Sequence, residues 1–170
     1  MKIRTGFVSN SSSSNFIIAL SRKPKTVEEM KELLFRDDDV FPNPYPYEKD
    51  GSDDTFPAME IAERVFNDLQ PLSPVTREEA IEDMQHGYFS GTMFSMDAIE
   101  SLSRGPDGQR DWDKMEELTA QEAKRTIDTF LNRHRNKQLY ILTYADDNGE
   151  SHLEHGDLFA IVPHIKVSHH

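Results

Sequence analysis

The sequence predicts an α+β fold, with one mixed or antiparallel sheet made from N-terminal and C-terminal strands and packed against a central set of helices. Three observations predict it. Residues 15–21, "NFIIALS", are apolar on both faces, as a central strand requires. Residues 26–136 repeatedly place apolar side chains at helical spacing between capping signals. From residue 138 the pattern returns to short apolar runs broken by turn residues. Neither end is stable as an isolated strand pair, so the two ends are expected to meet in one sheet. The length of 170 residues suits one domain over residues 1–170, with strands in 2–21 and 138–170.

Taken in order, residues 2–8, "KIRTGFV", alternate weakly and predict a first strand, joined to residues 15–21 by the loop "SNSSSS". "KTVEEMKELLF" opens a helix, with Thr26 as cap, Glu29 completing a capping box, and Val27, Met30, Leu33 and Leu34 as its apolar stripe. Residues 37–57 follow as an acidic, proline-rich loop. Pro42, Pro44 and Pro46 forbid a helix there and favour an extended, polyproline-like path over the surface. "AMEIAERVFNDLQ" reads as a helix stopped by Pro71. "SPVTREEAIEDMQHG" reads as another, with Thr76 and Glu79 as a second capping box and Gly87 as the stop. A shorter helix runs from a Ser95 cap to Gly105. Residues 110–136 keep helical spacing, and Thr119 with Glu122 offers a point at which they split into two helices. "QLYILTYA" is a strand, "DDNG" a hairpin turn and "ESHLEHG" its return strand. "DLFAIV" suggests one helical turn capped by Asp157, and "HIKVSHH" after Pro163 a last strand.

The net charge is −12, unevenly spread. Lys2, Arg4, Arg22, Lys23 and Lys25 stand in residues 1–25 without a single acid, which leaves 14 basic and 31 acidic residues, or −17, in the remainder. Most of such a surface repels nucleic acid and membrane phosphate, and attracts a basic protein. With no cysteine there is neither a disulfide nor a thiolate metal site. No apolar run, Phe16 to Leu20 included, is nearly long enough to span a membrane, and no apolar run of signal-peptide length precedes the serines. A cytoplasmic protein is the expectation.

Three sets of residues could carry function. Five of the seven histidines lie in the last 19 residues. Strand alternation would turn His155 and His169 to the core side, and with Asp157 they make a candidate site for a divalent transition metal. No other cofactor is indicated, since P-loop, GxGxxG and GxSxG motifs are missing from the chain. The serine loop has hydroxyls and free N–H groups in the basic part of the chain. Arg4, Ser9, Ser11, Ser12, Ser13 and Ser14 therefore form a candidate anion nest. The acidic loop interleaves Asp37, Asp38 and Asp39 with Phe41, Tyr45 and Tyr47, a pattern suited to a protein interface anchored by aromatics.

"MKIRTGFVSNSSSSNFIIA" resembles the opening of a scattered group of bacterial and bacteriophage proteins that begin with FVSNSSSSSF. The match is close from Phe7 to Phe16 and departs at Asn15, where the group has a fifth serine. The closing "LEHGDLF" and "PHIKVSHH" resemble endings in the same group, and the helical middle has no part in the likeness. The group has no settled activity, so the resemblance assigns no catalytic residue. It implies a phage or bacterial intracellular protein. It also implies that the serine loop travels with varied downstream sequences, as an address, a processing element or a binding loop would. Two functions are thus expected. The first is an acidic phage or bacterial accessory or anti-defence protein that binds a basic host or virion protein. The second is a metal-dependent enzyme acting on a phosphate-bearing substrate through His155, Asp157 and His169.

Overall fold

A computed structural model describes residues 13–44, 55–89, 96–145 and 151–169. Within them a four-stranded antiparallel sheet has the order β4-β6-β1-β5, where β1 is Ser13–Leu20, β4 Tyr88–Phe89, β5 Gln138–Ala145 and β6 His164–His169. The α+β class is therefore observed, and the sheet does join the N-terminal strand to the C-terminal ones. β1 lies at its centre, with Ser13 opposite Ala145 on one side and opposite His169 on the other. Both edges of β1 are taken from Ser13 to Ile18. The expected first strand, residues 2–8, lies outside the described residues.

The two-sided apolarity of β1 has a direct structural counterpart. Phe16, Ile18 and Leu20 face a core shared with helices α1 (Val27–Phe35) and α2 (Ala58–Leu69), while Ile17 and Ala19 face one shared with α3 (Arg77–Gln85) and α5 (Trp112–Arg133). Helices thus cover both faces of the sheet. Each fully buried large apolar side chain contributes about 1.5–3 kcal/mol, and β1 contributes to both cores at once.

The capping signals also have their counterparts. Thr26 Oγ1 accepts from the Glu29 N–H. The Glu29 carboxylate, however, accepts from the Lys25 N–H and from Arg22 rather than from the Thr26 N–H. Thr76 and Glu79 form the complete reciprocal box at α3. The helix α4 (Met96–Leu102) precedes α5, and the expected Ser95 cap lies outside the described residues.

Three expectations need correction. α5 is one unbroken helix of 22 residues, capped by Asp111. Thr119 and Glu122 are buried within it, because packing against α3 outweighs the local capping pattern. The proline-rich loop is pinned at its ends: β2 (Val40–Pro42) pairs with β3 (Thr55–Pro57) in a second, two-stranded sheet. Finally, "ESHLEHG" is not a return strand. Ser151–His155 form a short helix, α6, which packs Leu153 and Glu154 against the sheet face carrying Phe16. β5 is an edge strand of the sheet, and burying Leu153 and Glu154 over the sheet face outweighs extending that edge. The turn signal "DDNG" lies outside the described residues. Among the described residues no helix is long and apolar enough to cross a membrane.

Candidate acidic groove

The stretch after α1 is set by an unusual turn. Arg36 ends the helix with φ 53°, a left-handed value that costs a non-glycine residue about 1–3 kcal/mol. Its N–H still bonds to the Glu32 carbonyl, and Lys31 Nζ donates to the Arg36 carbonyl at 3.2 Å. The turn reverses the chain so that Asp37, Asp38 and Asp39 are exposed at the helix end while Phe41 turns inward. Phe41 is 3% exposed and meets Phe35 with ring centroids 5.7 Å apart.

On the other side, Gly156 follows α6. A Cβ there would lie 2.4 Å from the Phe41 ring and 2.5 Å from the His152 carbonyl, so only glycine lets the two segments approach this closely. The chain then turns at Asp157, with the Ala160 N–H bonded to the Asp157 carbonyl at 3.1 Å. Leu158 and Phe159 are buried and hold this turn to the core. Ile161, the next large apolar residue, is left 43% exposed.

Between these segments lies a cavity of about 630 Å³. Its apolar lining includes Leu34, Phe35 and Phe41, and Val40, 52% exposed, stands at its margin. Asp37, Asp38 and Asp157 supply carboxylates, with Arg36 and His155 as the basic groups. Asp39 is tied to Lys31 at 2.9 Å, whereas Asp37, Asp38 and Asp157 have no ion-pair partner among the described residues. Such a cavity can hold an apolar group and neutralise cations beside it.

The three sets drawn from the sequence fare differently. Asp37, Asp38 and Phe41 do meet at the groove, but Phe41 is part of its buried wall and not an exposed anchor; Asp39 is not in its lining and pairs with Lys31, and Tyr45 and Tyr47 lie outside the described residues. The metal set is split. His155 and Asp157 line the groove on one face of the sheet, together with α6. His169 shares the opposite face with Asn15, Val167 and α3, and its Nδ1 lies 3.2 Å from the His86 carbonyl. The strand alternation used to pair the two histidines fails because His155 is helical. Among the described residues no group of three or more His, Asp or Glu side chains is placed to hold a metal ion.

Of the anion set, Arg4, Ser9, Ser11 and Ser12 lie outside the described residues. Ser13 and Ser14 belong to β1. Ser14 is 1% exposed and donates to Glu154 Oε1 at 3.1 Å, so this end of the serine run already faces a carboxylate and is no anion nest. Glu154 is itself fully buried. His155 Nε2 lies 3.4 Å from its other oxygen, and Lys166 Nζ donates to its backbone carbonyl.

Sequence reading missed Val40, Ile161 and Glu154. Nothing in "DLFAIV" distinguishes the apolar side chain left outside from those buried, and Glu154 reads as one more acid in an acidic chain. Comparison with family models, curated proteins and solved structures finds no match to this chain.

Proposed function

We propose that this chain is a non-enzymatic interaction protein that holds a basic segment of a partner protein in the groove between the end of α1, β2 and the Asp157 turn. One observation carries the reading: Asp37, Asp38 and Asp157, without ion-pair partners among the described residues, surround an apolar cavity of about 630 Å³ flanked by the exposed Val40. Apolar burial would supply affinity, and the carboxylates would select lysine and arginine over other contacts. The net charge of −12 favours the approach of a basic partner and opposes that of nucleic acid. With the resemblance of its opening residues, this suits a phage or bacterial accessory protein acting on a basic host or virion protein in the cytoplasm. The metal-enzyme reading lacks support, because His155 and Asp157 lie on the opposite face of the sheet from His169.

The test is fluorescence anisotropy with a labelled oligolysine peptide. Binding should weaken as salt rises. The double substitution Asp37→Asn with Asp38→Asn should weaken it roughly two- to tenfold, the range expected for two partly exposed charge pairs. The same charge change on the other face of the sheet, Asp113→Asn with Glu116→Gln, should have a smaller effect. Equal losses from both pairs would reduce the attraction to overall charge and overturn the assignment to the groove.

A further inference from the structure

A second cavity of about 630 Å³ adjoins the first along α1. Its apolar lining includes Leu20, Leu33 and Pro163, and its rim carries Glu28, Glu29 and Glu32. Ile161 lines both cavities. The partition between them is thus one exposed isoleucine on a turn that the buried Leu158 and Phe159 hold in place.

The charges run along the same line. Six carboxylates and three cations (Arg22, Arg36 and Lys137) line the two cavities, leaving three negative charges in excess. Arg22 is bound to Glu29 at 2.7 Å, so one of those cations is already neutralised within the protein. Glu28 and Glu32 at one end and Asp37 and Asp38 at the other have no ion-pair partner among the described residues.

From this geometry, and resting on the reading that the acidic groove binds a basic partner, we infer that the two cavities form one site for a single amphipathic segment. The segment straddles Ile161. It places one apolar side chain in the cavity beside Phe41 and another in the cavity beside Leu33. Its lysines or arginines flank these anchors and meet Asp37 and Asp38 at one end and Glu28 and Glu32 at the other. Two anchors at a set spacing give such a site a specificity that charge alone lacks. The occupant is accordingly a basic, two-anchor protein segment, and neither a polycation without apolar side chains nor a single hydrophobic tail satisfies the site.

The experiment uses the full chain and labelled peptides of about twelve residues and equal lysine content, carrying no leucine, one leucine, or two leucines at varied spacing. At one spacing the two-leucine peptide should bind about tenfold more tightly than the leucine-free one and clearly more tightly than either one-leucine peptide. Ile161→Ser and, separately, Val40→Ser should each bring the ratio of two-leucine to leucine-free binding, measured on the same variant, from about tenfold to about threefold or less. Both residues are exposed, and unchanged melting temperatures would show that the variants fold. Glu28→Gln with Glu32→Gln should weaken the two-leucine peptide further.

If the leucine-free peptide binds in a manner dependent on salt, Asp37 and Asp38, and leucines add nothing at any spacing, the two-anchor inference falls and the simpler acidic-groove reading stands. If no peptide binds, both fall. Self-association that the peptides fail to displace would give the groove to a second copy of the chain and overturn the inference.

Discussion

Ser14 shows how one side chain can change meaning between sequence and structure. In the sequence it ends a run of four serines and reads as loop. In the fold it sits in β1 opposite Ser168, and its hydroxyl is one of the groups that compensate the burial of the Glu154 carboxylate. A buried carboxylate without donors is costly, so the requirement for a hydroxyl comes from a residue 140 positions away. Ser14→Ala should lower stability by about 1–3 kcal/mol, the range for withdrawing a partner from a buried polar group. Ser13→Ala, at the rim of a separate polar cavity, should stay within about 0.5 kcal/mol. Urea denaturation midpoints of the two variants provide the check. Equal, small effects would mean that Glu154 is satisfied without Ser14.

Among the elements, α6 departs furthest from expectation. "DDNG" followed by "ESHLEHG" has the local chemistry of a hairpin, but a return strand on the outer edge of β5 would take Leu153 away from the core on the sheet face. The chain instead makes a helix of five residues and turns it onto the sheet face, where Leu153 and Glu154 are buried. Its exit is set by Gly156 against Phe41. Gly156→Ala should therefore displace the Phe41 ring, reduce stability by about 1–3 kcal/mol and disturb the groove. A lower melting temperature together with weaker oligolysine binding is the expected result; an unchanged melting temperature would show that Phe41 can move aside freely. Helices longer than α6 were legible because their signals are local. The Thr26 and Thr76 caps and the apolar stripes of α1, α2 and α3 act within a few residues of sequence. The false break at Thr119 has the same origin read the other way: a capping pattern is present, and tertiary packing overrides it.

Over the whole molecule, the sheet is held between two helical layers, and ion pairs tie elements within them. On the α3/α5 side, Arg77 forms a two-pronged pair with Asp128, at 2.6 and 2.8 Å. The Arg77 guanidinium holds the Asp128 carboxyl below its ordinary value, mainly through the hydrogen bond. On the other side, Arg22 and the Lys25 N–H pull Glu29 down to about 2. A depressed folded-state pKa stabilises above the unfolded value, and the contribution is lost as pH falls through the folded value. Asp128→Asn should thus lower the melting temperature at neutral pH, and the gap from wild type should close as the solution is acidified below about pH 4. Glu29→Gln should behave alike, closing between about pH 4.5 and about 2. Melting curves from neutral pH to strong acid test both; a gap that persists unchanged in acid would show that the carboxylate charges are not responsible.

By itself the sequence determined the class of the fold, the central place of β1, the helices α1, α2 and α3 with the caps Thr26 and Thr76, and the strong acidity of everything after residue 25. These follow from short-range energies and from composition, which any stretch of chain carries with it. Only the tertiary structure decided that Ser14 would serve Glu154, that Ser151–His155 would coil instead of pairing, and that Phe41 would be buried while Ile161 was left exposed. It also decided that His155 and His169 would stand on opposite faces of the sheet. Those outcomes depend on which surfaces remain free once the sheet and its two helical layers have formed, and no single segment of the chain holds that information.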